Sequence, residues 1–213
     1  MTSMEIFTVG HSNHAIAEFI NLLEKHQITT LADVRSHPYS RYLPHFNRDK
    51  LRDAIKKVGI DYVFFGNYLG ARSNNLNCYV NGKALYERIA TTEEFIEGLA
   101  RISQGAKQER IVMMCAEQDP ITCHRAILVS RHLKNQDFAI KHILKDGSLE
   151  THEHLEQRLV DLHDLNRQQL NLFALQERLL PHDKALQKAY QIQGKQIAYV
   201  DKKNNLGIDE NSN

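Results

Sequence analysis

Apolar positions in the first 150 residues fall into short runs separated by amphipathic stretches. Ile6 to Val9 is a β-prone run that stops at Gly10-His11-Ser12-Asn13. Ile16, Phe19, Ile20 and Leu23 then recur at three- and four-residue spacing, which predicts a helix over residues 15–26. Ile28 to Val34 is a second β run, closed by Arg35-Ser36-His37-Pro38. Leu51, Ile55 and Val58 predict a helix that Asn47 would cap and Gly59 would stop. Asp61 to Phe65 is a third run, and residues 71–83 read as an unpatterned, polar surface loop. Helical spacing resumes at Phe95, Leu99 and Ile102. Ile111 to Met114 is the most apolar strand, suited to the centre of a sheet covered on both faces. Ala126, Ile127, Val129 and Leu133 predict a further helix, and Phe138 to Leu144 a fifth strand ended by Gly147. Strands alternating with helices specify an α/β fold of three layers, a mostly parallel sheet flanked by helices.

The pattern changes after Gly147. Leu155, Leu159 and Leu162 lie at helical spacing, and Leu165, Leu172 and Leu179 a heptad apart. This divides the chain into an α/β core over residues 1–150 and a C-terminal helical extension over 151–213, packed on that core. Its leucines could also serve a homodimer, although three weak heptads do not make a coiled coil. Ile197 to Val200 could form a late edge strand, and the last ten or so residues, from Asn204, are expected to fray.

Composition narrows the class. The 213 residues hold 27 basic and 26 acidic side chains, so a net charge of +1 excludes strong overall attraction to nucleic acid. A local basic patch would not register in that sum. No apolar run approaches a membrane span. The first ten residues lack a basic start and a signal-peptide core. Three cysteines do not form a secreted disulfide framework. A soluble, cytoplasmic protein is expected.

The chemistry gathers directly behind the predicted strands, where open α/β sheets bind ligands. Behind the first stand His11, Ser12 and Asn13; behind the second, Asp33, Arg35, Ser40 and Arg41; behind the fourth, Cys115, Glu117, Cys123, His124 and Arg125. Cys123 precedes a predicted helix and neighbours Arg125, both of which favour a thiolate. Cys115 ends a buried strand, where a thiol often serves as a small apolar side chain. Cys78, in the polar loop, is read as incidental. His152, His154 and His163 are read as solvated. Arg35, Arg41 and Arg125 suit bidentate grips on phosphate or carboxylate, unless Asp33 and Glu117 engage them internally. His11 and His124 are placed for proton transfer. A Cys–His metal site with His11 or His124 stays open, but no second Cys pair or spaced His pair is present, so no metal is assigned. The sequence does not identify a cofactor, which stays unknown.

Thr8-Val-Gly10-His11-Ser12-Asn13, Asp33-Val-Arg35, Pro38-x-Ser40-Arg41, Pro44-x-Phe46-Asn47, Leu69-Gly70, Cys115-Ala-Glu117 and Cys123-His124-Arg125 together resemble the domain of unknown function 488 family. His142-Ile-Leu and Asp146-Gly147 resemble its continuation, so the likeness runs over about residues 5–150. Ala71 departs from the Leu-Gly-Gly-Arg turn expected there. The resemblance implies the fold and the site, and no reaction.

These readings converge on an enzyme for an anionic substrate, a nucleotide or nucleic-acid end. Cys123, Cys115, His11, Asp33, Glu117 and His124 form the catalytic set. Ser12, Asn13, Arg35, Ser40, Arg41 and Arg125 form the binding set. The alternative is a non-catalytic module that senses a nucleotide or nucleic acid through the same pocket.

Overall fold

A computed structural model describes residues 4–134, 136, 138–165 and 182–201. The chain runs β1 (Glu5–Gly10), α1 (Ile16–Lys25), β2 (Thr30–Asp33), α2 (Arg48–Lys56), β3 (Asp61–Phe64) and α3 (Gly66–Leu69). A small hairpin follows, β4 (Tyr79–Val80) and β5 (Lys83–Ala84), then α4 (Tyr86–Ile89), α5 (Glu93–Gly105) and β6 (Ile111–Cys115). A π-helical segment, Arg125–Ser130, continues into α6 (Arg131–Lys134). The chain then forms β7 (Ala139–Ile143), β8 (Leu149–Thr151), α7 (His152–Leu162) and α8 (His182–Ile197).

Six strands make one sheet in the order β3-β2-β6-β1-β7-β8. Neighbours pair parallel except β7 with β8. The central strands are buried at every position of β2 and β6, as their uninterrupted apolar character requires. Alternate side chains enter opposite cores. Phe7, Val9, Val112 and Met114 meet Phe19 and Leu23 of α1 and Leu51 and Ile55 of α2. Ile6, Ile111 and Met113 meet α5, the π-helical segment, α7 and α8 on the other face. The three-layer α/β reading therefore holds. Among the described residues no helix is long and apolar enough to cross a membrane.

Several local expectations change. Residues 71–83 hold a 3₁₀ turn, Leu76–Cys78, and the start of the hairpin. Asn81 and Gly82 adopt φ of 49° and 72°, the left-handed pair that an Asn-Gly hairpin turn needs. Cys78 is buried in the core beneath this turn. Asp146-Gly147 turns the chain into β8, a strand that apolar pattern alone did not reveal. Asn47 starts α2, but its side chain accepts from the Ser40 N–H instead of capping. Ile197 ends α8, and only Val200 makes a β-bridge, to Lys83. Leu172 and Leu179 and the end from Asn204 lie outside the described residues.

His152, read as solvated, is wholly buried, whereas His154 is exposed beside Glu150. A polar chain runs from Thr8 Oγ1 to His142 Nδ1 (2.7 Å), from His142 Nε2 to His152 Nδ1 (3.0 Å), and from His152 Nε2 to the Tyr190 hydroxyl (2.9 Å). Tyr190 then donates to Glu156, which is paired with Lys134. These bonds satisfy groups that would otherwise be costly to bury, and they tie α7 and α8 to the central strand.

Burial holds His152 at about 4, below its ordinary 6.5, despite the opposing charge of Glu156. The neighbouring His142 is displaced the same way by burial and then by His152. The unfolded chain therefore binds protons in this window that the folded chain excludes. This stability is complete above about pH 6.5 and is lost as pH falls towards 4. Each such imidazole contributes a slope of about 1.4 kcal/mol per pH unit. Urea unfolding across this range is expected to show the fall, and His152→Gln to remove about one histidine's share of the slope. An unchanged slope in the variant would contradict this account.

Candidate functional site

β2, β6 and β1 are adjacent, so their carboxyl ends bring the three chemical segments together. Gly10 pairs with Cys115 and Asp33 with Met114. The ladder continues past the strands: His11 N–H donates to Cys115 O (2.9 Å), Ser12 N–H to Ala116 O (2.9 Å) and Val34 N–H to Met114 O (3.1 Å). Gly10 has no alternative here, because a β-carbon on it would stand 1.8 Å from the Glu117 carbonyl oxygen. The absence of a side chain lets the Cys115–Gln118 segment cross directly over β1.

Behind β6, Asp119 caps a 3₁₀ turn, Pro120–Thr122, which delivers Cys123 and His124 back to Cys115. Glu117 Oε2 lies 3.0 Å from both sulfurs. His124 Nδ1 lies 3.6 Å from Cys115 Sγ and 3.9 Å from Cys123 Sγ. Its Nε2 donates to Val34 O at 3.0 Å, so the neutral ring turns an unprotonated Nδ1 towards the thiols.

Three acids so close share their protons unequally. Burial opposes ionisation of Cys123, but the hydrogen bond from Cys115, then Arg125 and His124, holds it well below the ordinary thiol value. The same hydrogen bond, with burial, pushes Cys115 up. Burial and then the Cys123 charge raise Glu117. Burial disfavours the His124 cation, yet Cys123 and Glu117 outweigh it and raise the imidazole. These directions favour a thiolate at Cys123 over one at Cys115.

The arginines act from inside. Arg35 grips Asp33 twice, Nε to Oδ1 at 2.9 Å and Nη2 to Oδ2 at 2.6 Å, and donates to Phe46 O at 2.9 Å. The Tyr62 hydroxyl donates to the same carboxylate at 2.7 Å. Arg35 Nη1 reaches His11 Nε2 at 3.2 Å, and His11 Nδ1 donates to Ser12 O, so His11 is a neutral prop stacked on Phe46. Burial, with Arg35, lowers its pKa to about 4. Arg125 has no solvent exposure and donates to Glu117 O (2.6 Å) and Gln118 O (3.0 Å). The expected α-helix behind it is a π-helix over its first six residues. Ser130 Oγ bonds the Arg125 carbonyl at 2.7 Å across this wider turn.

The cleft above the cluster measures about 260 Å³, and Cys115, Glu117 and His124 face it with Arg35, His37 and Arg72. Cys123, Asp33 and Arg125 lie beneath. Ser12, Asn13, Ser40 and Arg41 do not line it. Ser12 occupies a left-handed φ of 44°, and the Ser40 hydroxyl is taken by the Tyr42 and Leu43 N–H groups. Sequence reasoning missed Tyr86 and Tyr199, which form a wall of the cleft. Tyr199 arrives from beyond α8, where its carbonyl accepts from Ala84 N–H and its ring lies under the Arg72 guanidinium at 4.3 Å. Nothing local in the sequence marks that encounter.

The model of a protein family described as "Domain of unknown function DUF488" matches residues 15–132. No curated protein and no solved structure matches the chain.

Gly10→Ala is expected to cost about 1–3 kcal/mol or more, because the methyl group must displace backbone. Gly105→Ala, whose β-carbon meets only the tip of Ile111 at 2.9 Å, serves as control and should stay within about 1 kcal/mol. Denaturant midpoints measure both, and equal values would contradict the close crossing at Gly10.

Proposed function

The chain belongs to the DUF488 family, whose model covers more than half of it, and from the site geometry we propose that it is an enzyme acting on a small anionic substrate or a nucleic-acid end. The observation that carries this reading is the convergence of Cys115, Glu117 and His124 on the floor of a cleft rimmed by Arg72 and His37. Glu117 is the one carboxylate among the described lining residues, so the rim favours an anion. Because Arg35 and Arg125 are occupied internally, Arg72 replaces them as the anion-facing group. In this reading Glu117 and His124 exchange protons with the bound molecule, and Cys115 and Cys123 supply the sulfur chemistry beside it. The reduced thiols fit a cytoplasmic setting.

A second reading, a non-catalytic sensor of nucleotides or nucleic-acid ends, draws on the burial of both site sulfurs, Cys115 at 4% and Cys123 at 1% exposure. Binding alone needs only the rim.

Phosphate, sulfate or a mononucleotide is expected to raise the melting temperature, by about 5–10 °C near a hundredfold excess over Kd. Arg72→Ala should abolish the shift while leaving the unliganded melting temperature within a few degrees. Binding to one or two phosphates should weaken only gently with salt. No shift with any of these anions would overturn the anionic-substrate reading. A shift without turnover of any phosphate- or nucleotide-bearing compound would favour the sensor.

A further inference from the structure

Two sulfurs and an imidazole meet here with an arrangement that a reactive thiol alone does not require. One ligand atom each from Cys115, Cys123 and His124 lies within 4.8 Å of the other two, and all three residues are buried. A tetrahedral ion with bonds of about 2.3 Å to sulfur and 2.0–2.1 Å to nitrogen sets S···N edges of about 3.5–3.6 Å. The observed S···N separations of 3.6 and 3.9 Å need adjustments of only a few tenths of an ångström.

Three further features support ligation. The Val34 carbonyl fixes the His124 tautomer and aims the Nδ1 lone pair at the sulfurs, as carbonyl partners do for metal-binding histidines. Arg125 N–H points at Cys123 Sγ at 3.4 Å, a hydrogen bond suited to a thiolate. Glu117 Oε2 lies 3.0 Å from both sulfurs, which puts a carboxyl group at the edge of the three donors, within reach of an open coordination position. Burial of a small apolar thiol would explain Cys115 on its strand, but not the aim of His124 or the position of Glu117.

We propose that Cys115 Sγ, Cys123 Sγ and His124 Nδ1 bind one Zn²⁺ ion, with its fourth position open towards Glu117 and the cleft. Thiolate and imidazole donors select zinc over magnesium or calcium. This deepens the enzyme reading and rests on the same site. It gives that enzyme a hydrolytic class. A water in the open position loses a proton to the Glu117 carboxylate and becomes hydroxide. The hydroxide bonds to the electrophilic centre of the substrate, the bond to the leaving group breaks, and Glu117 returns the proton to that group.

The test uses the full chain, reduced and freed of metal, titrated with Zn²⁺ against a chromophoric chelator and with Co²⁺ as a spectroscopic probe. One equivalent of each is expected, with visible bands of tetrahedral cobalt and a thiolate-to-cobalt band. Cys115→Ser and Cys123→Ser should weaken binding by more than about 100-fold, beyond the usual loss for an outer partner. Cys78→Ser and Glu117→Gln should each keep one equivalent. X-ray absorption of the zinc-loaded wild type, which depends on no variant, should show two sulfur ligands and one imidazole. Absence of tight binding, a wild type isolated with a Cys115–Cys123 disulfide, or loss of the metal in Glu117→Gln would overturn the proposed site. Anion-induced stabilisation measured on the metal-free chain separates the two readings. If it persists without zinc binding, only the metal site falls; if zinc binds but no anion stabilises the protein, the anionic-substrate reading falls.

Discussion

Arg125 places a full positive charge where β1, the loop behind β6 and the π-helical segment meet, with no contact to water. A buried, unpaired ion costs several kcal/mol, so the surrounding chain must supply acceptors in fixed positions. The carbonyls of Glu117 and Gln118 do so, and Thr8 Oγ1 lies 3.4 Å from Nε. Satisfying that charge fixes the path of the loop that carries Glu117 and, through the Arg125 N–H, holds Cys123 beside it. The electrostatic balance of the thiols depends on the same guanidinium, whose field favours the Cys123 thiolate.

Asp33 and Arg35 repeat the device one strand away. Their bidentate pair, completed by Tyr62 and Phe46 O, orders the turn behind β2, and its remaining donor orients His11. Two internal ion-and-carbonyl assemblies therefore flank β6, whose end opens onto the cleft. These two arginines contribute rigidity to the site, while Arg72 brings positive charge to the lining of the cleft.

The C-terminal helices are part of this construction. Gln193 of α8 donates to Ile121 O at 2.8 Å, within the turn that presents Cys123. The Thr8–His142–His152–Tyr190 chain fixes α7 and α8 against β1, and Tyr199 beyond α8 closes a wall of the cleft. The segment 115–125 from the middle of the chain is thus supported by residues about eighty positions later.

Local periodicity and composition determined the sheet-and-helix alternation, because burial of β2 and β6 on both faces demands uninterrupted apolar runs whatever their neighbours are. They also placed His11, Asp33, Arg35, Cys115, Glu117, Cys123 and His124 at strand ends, since titratable side chains stand out where an apolar run stops. The Asn81-Gly82 hairpin was missed, because its two-residue strands leave no alternating apolar pattern among the polar residues around them. Strand order was not legible: β6 enters between β2 and β1 through pairing over about eighty to a hundred residues, and no local pattern encodes it. That insertion decides that the three chemical segments share one site. Whether an arginine faces solvent or a carbonyl, whether His152 is wet or dry, and whether Tyr199 reaches the cleft depend on which backbone groups need partners after packing. Such demands exist only once distant segments have been buried against one another, so the tertiary structure alone decided them.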